Sequence, residues 1–327
     1  MLVICLAAPA CGLAAETGAD PDAVKEVLAG KRREANAAWW GFSEQDATDA
    51  LQAAIRSGAA KLTVPDMGKP WRVRPLFLES DQEIVFEKGV VAQAVSGAFR
   101  GTGDSLFLAD NRHNITLRGY GAEWAMRKED YQKPPYPKAE WRMALSLRSC
   151  RNVKVYGLRI SRSGGDGIYV GRSDQKGAPA GCEDVHIKDV VCAGHHRQGI
   201  SVICARNLLI EDCAFQDTDG TAPEAGIDFE PNRKDEYLTR CAVRNCTFTG
   251  NSGYGILFAL HLIGDNPVSI CVENCTSDRN KAGPLRIAAP SARGHIELLG
   301  NKLNGKQRIE HGTGLMVESG PAPKAEK

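Results

Sequence analysis

The stretches Gly199-Ile-Ser-Val202 and Gly226-Ile-Asp-Phe229 are two copies of the pattern that decides the fold. Each copy has a small residue or Pro, then an apolar, a variable and a second apolar residue. Eight copies occur: Ser105–Leu108, Ala144–Leu147, Gly167–Val170, Gly199–Val202, Gly226–Phe229, Gly255–Phe258, Pro284–Ile287 and Gly314–Val317. From the third copy on, they recur every 27 to 32 residues. Such a period is typical of a solenoid in which each repeat forms one coil.

The repeat also predicts which residues form the outer surface. Side chains alternate along a strand, so the second and fourth residues of each copy should point inward and the third outward. The predicted outward residues are Phe107, Ser146, Tyr169, Ser201, Asp228, Leu257, Arg286 and Met316. Upstream of the copies, segments such as 184–187 and 207–210 predict a second strand in each coil. The sequence therefore predicts an all-β parallel solenoid.

The charge balance and the N-terminal apolar run limit the classes of partner and the cellular compartment to be expected. The chain has 41 basic and 40 acidic residues, so nothing favours nucleic acid as a partner. The apolar run at 2–15 is too short to span a bilayer and is typical of a signal peptide. No later segment predicts a membrane span. We therefore expect an exported protein, and the sequence carries no signal for an oligomeric state.

Eleven cysteines in an exported chain would ordinarily suggest disulfides. Here Cys213, Cys246 and Cys275 fall at one position of successive coils, and Cys241 falls at the position of Leu208 and Ile270. Free cysteine packs well as a small apolar residue. The spacing therefore predicts a buried ladder of free thiols, and no metal site.

The chain divides into four predicted parts: a signal peptide at 1–15, an N-terminal segment at 16–38, the solenoid domain at 39–319 and a disordered tail at 320–327. Ser43 and Asp46 form a predicted capping box for a helix at 47–57. We expect this helix to cover the open end of the first coil. The insertion at 121–140 is predicted to form a wall of a binding groove.

The segment 41–55 (GFSEQDATDALQAAI) resembles the N-terminal helix cap of the pectin-lyase-like superfamily, and the coils from Asn114 to Val317 resemble its repeats. The resemblance implies a single-stranded right-handed parallel β-helix with a short N-terminal capping α-helix. That superfamily contains polysaccharide hydrolases, lyases, epimerases and non-catalytic phage adhesins, so the fold does not name a reaction.

The enzyme signatures of the superfamily fit this chain poorly. Asp166 in Gly164-Gly-Asp-Gly-Ile168 matches one of the paired aspartates of the polygalacturonases. Gly194-His195-His196 half resembles their histidine motif, and Arg286-Ile-Ala lacks the final lysine. The segments 197–202 and 226–232 are similar to uncharacterised bacterial β-helix proteins.

Asp228 and Glu230 lie on the same predicted outward face, with Asp166 in a nearby turn. Two carboxyl groups flanking a glycosidic bond can act as acid and base, or as acid and nucleophile. These three acids are therefore the predicted catalytic residues. The predicted substrate-binding residues are Tyr169, His195, His196, Arg197, Arg286 and Tyr254.

Glycoside hydrolysis of a polysaccharide or oligosaccharide, without a cofactor, is the leading interpretation. Two alternatives stay open. One is β-elimination or C5-epimerisation of a uronic acid, with His195 or His196 as base and Tyr169 as proton donor; calcium would belong to this alternative alone. The other is a non-catalytic glycan-binding protein.

Overall fold

The computed structural model describes residues 18–322. The predicted signal peptide and the last five residues of the predicted tail lie outside this range. Within it, three parallel sheets of eleven, nine and nine strands wind into one solenoid. No helix in this range is long and apolar enough to cross a membrane.

Each sheet contains one strand from each successive coil. The first sheet contains Glu34–Asn36, Lys61–Val64, Gln82–Phe86, His113–Arg118, Arg151–Tyr156, Cys182–Lys188, Ala205–Glu211, Leu238–Arg244, Val268–Glu273, Gly294–Leu299 and Leu315–Gly320. The second sheet contains Trp71–Val73, Val91–Ala94, Glu123–Ala125, Arg159–Ser161, Val191–Ala193, Ala214–Gln216, Thr247–Thr249, Thr276–Asp278 and Lys302–Leu303. The third sheet contains Leu76–Phe77, Phe107–Asp110, Leu145–Arg148, Ile168–Gly171, Ile200–Val202, Ile227–Phe229, Tyr254–Ala259, Gly283–Ala289 and Arg308–His311.

The core consists of inward side chains stacked from coil to coil. Ile227 and Phe229 both belong to it, and the Phe229 ring stacks on Phe258 with centroids 5.0 Å apart. Phe215 and Phe248 stack in the same way at 5.4 Å. Burying each such side chain fully stabilises the folded state by about 1.5–3 kcal/mol. The predicted alternation of inward and outward residues is therefore correct for the central coils.

The N-terminal end is covered by helices, as predicted. Helices Pro21–Leu28 and Thr48–Ile55 and the 3₁₀ turn Ala37–Trp40 pack over the first coil, and a second 3₁₀ turn forms at Asp130–Gln132. The predicted capping box forms in part: the Asp46 N–H donates to Ser43 Oγ at 3.2 Å, but the helix begins only at Thr48, whose N–H donates to the Asp46 carboxylate. The first strand, Glu34–Asn36, already pairs with the next coil, so the solenoid begins before residue 39.

The predicted cysteine ladder is confirmed within the described range. Cys213, Cys246 and Cys275 are buried and free. Cys241 pairs in register with Leu208 and Ile270 inside the first sheet. Of the cysteines that the structure describes, all except the half-buried Cys271 are therefore buried like core residues.

Two members of the predicted outward row, at the ends of the repeat, do not belong to it: Phe107 points inward, and Met316 is exposed but lies on another sheet. Phe107 pairs with Leu145, is fully buried and stacks on Trp124 at 4.1 Å, so the first copy is shifted by one residue. Met316 lies in the first sheet, opposite His295. The last strand of the third sheet is instead Arg308–His311, which pairs with Arg286 and its neighbours.

Candidate functional site

The outer face of the third sheet carries the predicted row of residues. Backbone pairing places Ser146, Tyr169, Ser201, Asp228, Leu257 and Arg286 side by side on successive strands. Because Ile227 and Phe229 lie in the core, Asp228 between them points away from it. The chain stays paired as far as Glu230, whose N–H donates to the Val202 carbonyl at 3.1 Å. Asp228 and Glu230 therefore share the outer face, as predicted.

Arg197 joins these acids into one cluster. Its Nη2 donates to Glu230 Oε2 at 2.8 Å, and its Nη1 lies 3.6 Å from Asp166 Oδ1. The other Asp166 oxygen accepts a hydrogen bond from Ser201 Oγ at 2.7 Å. Glu140, at the end of the 121–140 insertion, lies 3.5 Å from Arg197 Nε. One guanidinium thus faces carboxylates from two coils and from the insertion.

Asp228 is held by an amide and not by a cation. Gln198 Nε2 donates to Asp228 Oδ2 at 2.7 Å, while Gln198 Oε1 accepts the Ala225 N–H at 3.0 Å. Both contacts fix the orientation of the Gln198 side chain. The second oxygen of Asp228, Oδ1, is buried without a hydrogen-bond partner. A buried oxygen without a partner is costly when the group is ionised.

Burial sets the protonation of both aspartates, which have no exposed surface. Burial raises the pKa of Asp166 to about 7, against the opposing effects of Arg197 and Ser201. Burial, and then the negative charge of Glu230, raise the pKa of Asp228 well above its ordinary value, although Arg197 acts in the other direction. One arginine faces more acids than it can neutralise, which favours the protonated form of the two aspartates.

The two histidines lie in different places. His195 is fully buried below the turn: the Ser163 N–H and hydroxyl contact its Nδ1 at 3.3 and 2.8 Å, and its Nε2 lies close to Gly167. Burial lowers the pKa of His195 to about 3. The predicted substrate contact of His195 is therefore wrong, because both ring nitrogens are enclosed, Nδ1 by Ser163 and Nε2 by Gly167. His196 instead borders a depression together with Glu140 and Trp141.

The remaining predicted residues lie on the same face but outside the acid cluster. Tyr169 is one strand from Ser201, and burial raises its pKa to about 12. Arg286 lies two strands beyond Asp228, with its guanidinium carbon 5.9 Å from the Tyr254 ring. Tyr254 contacts Arg286 and no acid of the cluster. The pair forms a separate patch about 10 Å away along the sheet.

Three residues of the cluster were absent from the sequence-based site: Glu140, Gln198 and Ser201. Ser201 stands in the predicted outward row, where a serine beside an aspartate was a usable signal. Gln198 follows Arg197 in a turn, and no local pattern indicates its contact with Asp228. Glu140 comes from the insertion that was predicted to form a wall.

Within residues 18–322, no three His, Cys, Asp or Glu side chains converge in a way that could hold a metal ion. The positive charge of Arg197 occupies the centre of the acid cluster.

The comparisons agree with this architecture. The uncharacterized protein YclG of Bacillus subtilis (strain 168) is 25% identical over 212 residues, which cover 59% of this chain and 36% of YclG. A structure of iota-carrageenase complexed to iota-carrageenan fragments superposes with a TM-score of 0.62 at 16% identity, covering 79% of this chain and 57% of that one. The structure of the pre-mature gene product 12 of bacteriophage phi29 superposes with a TM-score of 0.58 at 17% identity, covering 87% of this chain and 42% of that one.

At such identities these solved structures show the fold alone. The chain spans little more than a third of the length of YclG and less than two thirds of the carrageenase. Residues 142–320, more than half of the chain, match the family model described as right handed beta helix region. The chain therefore belongs to the right-handed β-helix family.

Proposed function

We propose that this protein is a carbohydrate-active enzyme that hydrolyses a glycosidic bond of a polysaccharide. One observation carries the proposal: Asp228, whose pKa is raised, lies on the outer face beside Glu230, which is ion-paired with Arg197. Hydrolysis requires such a pair, in which one carboxyl holds a proton and the other has given it up.

In the proposed reaction, Asp228 donates its proton to the glycosidic oxygen as the bond to the anomeric carbon breaks. Glu230 either takes a proton from the attacking water or attacks the anomeric carbon itself, in which case water later hydrolyses the glycosyl ester. Asp166 faces Arg197 with Oδ1 and accepts the Ser201 hydroxyl with Oδ2, and so helps to hold the arginine in place. Export of the protein, predicted from residues 2–15, is part of the proposal.

Access to Asp228 involves Arg197. Asp166 and Asp228 have no exposed surface, whereas the side chains of Arg197 and Glu230 are 14% and 26% exposed. We therefore expect the arginine side chain to turn away from the aspartates when a sugar binds. An acidic group on that sugar would favour this movement by offering the guanidinium a new partner.

Two observations support this proposal over β-elimination. His195, a candidate base for proton abstraction at C5, is enclosed below the turn. The groups that converge on the outer face are carboxyls, which is the pairing used in hydrolysis. The carrageenase of similar fold was solved in complex with iota-carrageenan fragments, although a shared fold alone names no reaction.

The test is a panel of polysaccharides assayed for new reducing ends and for the ultraviolet band of an unsaturated uronate. We expect reducing ends without that band. In Asp228→Asn and Glu230→Gln, turnover should fall at least about 100-fold while cooperative unfolding is kept. Glu183→Gln, on the outer face of the first sheet, is the matched control and should keep wild-type turnover.

Three results would overturn the proposal. If Asp228→Asn and Glu230→Gln both keep turnover within twofold of wild type, these residues are not the catalytic acids. The unsaturated band would make the enzyme a lyase. Binding of a glycan in the panel without any cleavage would make it a non-catalytic glycan-binding protein.

A further inference from the structure

A depression of about 330 Å³ opens beside the acid cluster, at the edge where the strands of the third sheet begin. Its walls are formed by Lys138, Ala139, Glu140, Trp141, His196 and Thr221. Glu140 belongs both to this wall and to the cluster, because its carboxylate lies 3.5 Å from Arg197 Nε. The depression is therefore continuous with the proposed catalytic site.

Trp141 stands out among the five tryptophans of the chain. Trp71 and Trp124 are fully buried, and Trp39 and Trp40 are half-buried, whereas Trp141 is 52% exposed. Leaving a large flat apolar ring in water forgoes the free energy of its burial. Arg142, the next residue, is fully buried between Tyr131 and Tyr136 and donates to the carbonyls of Phe99 and Pro137. The neighbouring arginine thus anchors the chain from which the indole projects.

The opposite wall of the depression is polar. His196 is 8% exposed, and its Nδ1 is buried without a hydrogen-bond partner. The Thr221 N–H donates to the His196 carbonyl at 2.8 Å, which holds the two residues together. The Nδ1 atom of His196 lies against Gly220, so the rest of the His196 ring is what borders the depression.

A flat apolar ring facing a polar wall matches the two kinds of surface of a pyranose. Such a sugar has a face of C–H groups and a rim of hydroxyl groups, and binding sites combine an apolar surface with a few placed polar groups. We propose that the depression is a second sugar subsite, in which a pyranose unit of the polysaccharide stacks on Trp141 and its hydroxyls bond His196 and Thr221. This inference rests on the proposed function and adds a binding position next to the reacting bond.

The kinetic test compares Trp141→Ala, Trp141→Phe and Tyr120→Ala on a polysaccharide that the wild type cleaves. Tyr120 is a matched control, since it is 50% exposed and lies outside the site. We expect Trp141→Ala to raise KM about tenfold with a smaller change in kcat, because a lost stacking contact is typically worth a factor of this size. Trp141→Phe should keep most of the affinity. Equal KM values for Trp141→Ala and Tyr120→Ala would overturn the subsite.

A binding test separates this inference from the proposed function. In Glu230→Gln, acrylamide quenching of tryptophan fluorescence reports mainly on Trp141, and bound oligosaccharide should protect it. Each glycan of the panel is the probe. Protection without cleavage by the wild type would support the subsite while the hydrolase proposal fails. Cleavage by the wild type without protection, and with an unchanged KM in Trp141→Ala, would overturn the subsite while the hydrolase proposal stands.

Discussion

The outer faces of the first and third sheets both carry charged residues, yet they are organised in opposite ways. On the first sheet, acids form ion pairs at the surface, among them Glu83 with Arg118 at 3.0 Å, Glu183 with Arg206 at 3.0 Å and Glu273 with Arg244 at 3.1 Å. On the third sheet, Asp166 and Glu230 share Arg197, and Asp228 is held by an amide.

The two faces also shift pKa values in opposite directions. At Glu211 on the first sheet, burial alone would raise the pKa, but Lys188 and His186 outweigh it and the net shift is downward. At Asp166 on the third sheet, burial dominates and the pKa rises. Exposed pairs contribute about 0–1 kcal/mol each, whereas buried acids without their own partner destabilise the fold. The difference supports the proposed catalytic role of the third-sheet cluster.

Removing the shared arginine should have the largest effect on stability. In Arg197→Met, the buried acids lose their counter-charge, and we expect a loss of about 3–5 kcal/mol in the free energy of unfolding at pH 7.5. Arg244→Met on the first sheet should cost at most about 1 kcal/mol. Urea unfolding of both variants measures the comparison. Equal losses in the two variants would show that the arginines of the two faces contribute equally to the free energy of unfolding.

The pH dependence of stability should reveal the raised pKa of Asp166. Because its pKa is higher in the folded chain than the ordinary 3.8, its contribution is fully present below about pH 4 and is lost as the pH rises to about 7. The loss amounts to roughly 4 kcal/mol. Asp166→Asn should flatten the curve of unfolding free energy between these pH values. An unchanged slope in the variant would contradict the assignment.

On the first sheet the sign of this dependence is reversed. The pKa of Asp212 is lowered, first by its hydrogen bond from Lys188 and then by that from Asn245. Its contribution is therefore present above the unfolded pKa and is lost as the pH falls. Asp212→Asn serves as the control, and it should change the stability curve only in the acid range.

The smallest expected effect on stability comes from cysteine substitutions on the inner and outer faces of the first sheet. Cys241 is buried between Leu208 and Ile270, whereas Cys271 on the next strand points outward and is half-buried. Cys241→Ser places a hydroxyl in the core and should cost about 1–3 kcal/mol. Cys271→Ser should change stability by no more than about 0.5 kcal/mol. Thermal unfolding of both variants measures the two losses of stability. A larger loss in Cys241→Ser than in Cys271→Ser is expected if Cys241 points inward and Cys271 outward.

Much of the fold was predictable because the sequence has two clear periods. Side chains alternate in direction every two residues along a strand, and the coils recur about every thirty residues. Those two periods placed Asp228 on the outer face, two strands from both Tyr169 and Arg286. They failed at the ends of the repeat. Around Phe107, three consecutive apolar residues allow either register, and packing against Trp124 selects one.

The cluster itself was predictable only in part. The sequence indicated that Asp166, Arg197 and Glu230 come close together, because their turns and strands fall at matching positions of neighbouring coils. It did not indicate that Gln198 binds Asp228 or that Glu140 reaches Arg197. Such contacts depend on the path of the turns and of the insertion, for which the repeat sets no rule.

The sequence by itself determined the solenoid, the direction in which each central side chain points and the row of polar residues on one face, because these follow from local periodicity. Only the tertiary structure decided that Asp228 is fully buried, that one guanidinium serves several acids and that His195 is enclosed while Trp141 stays in water. The physical reason is that burial and charge depend on neighbours about thirty residues away in the chain. Those neighbours meet only when the coils stack.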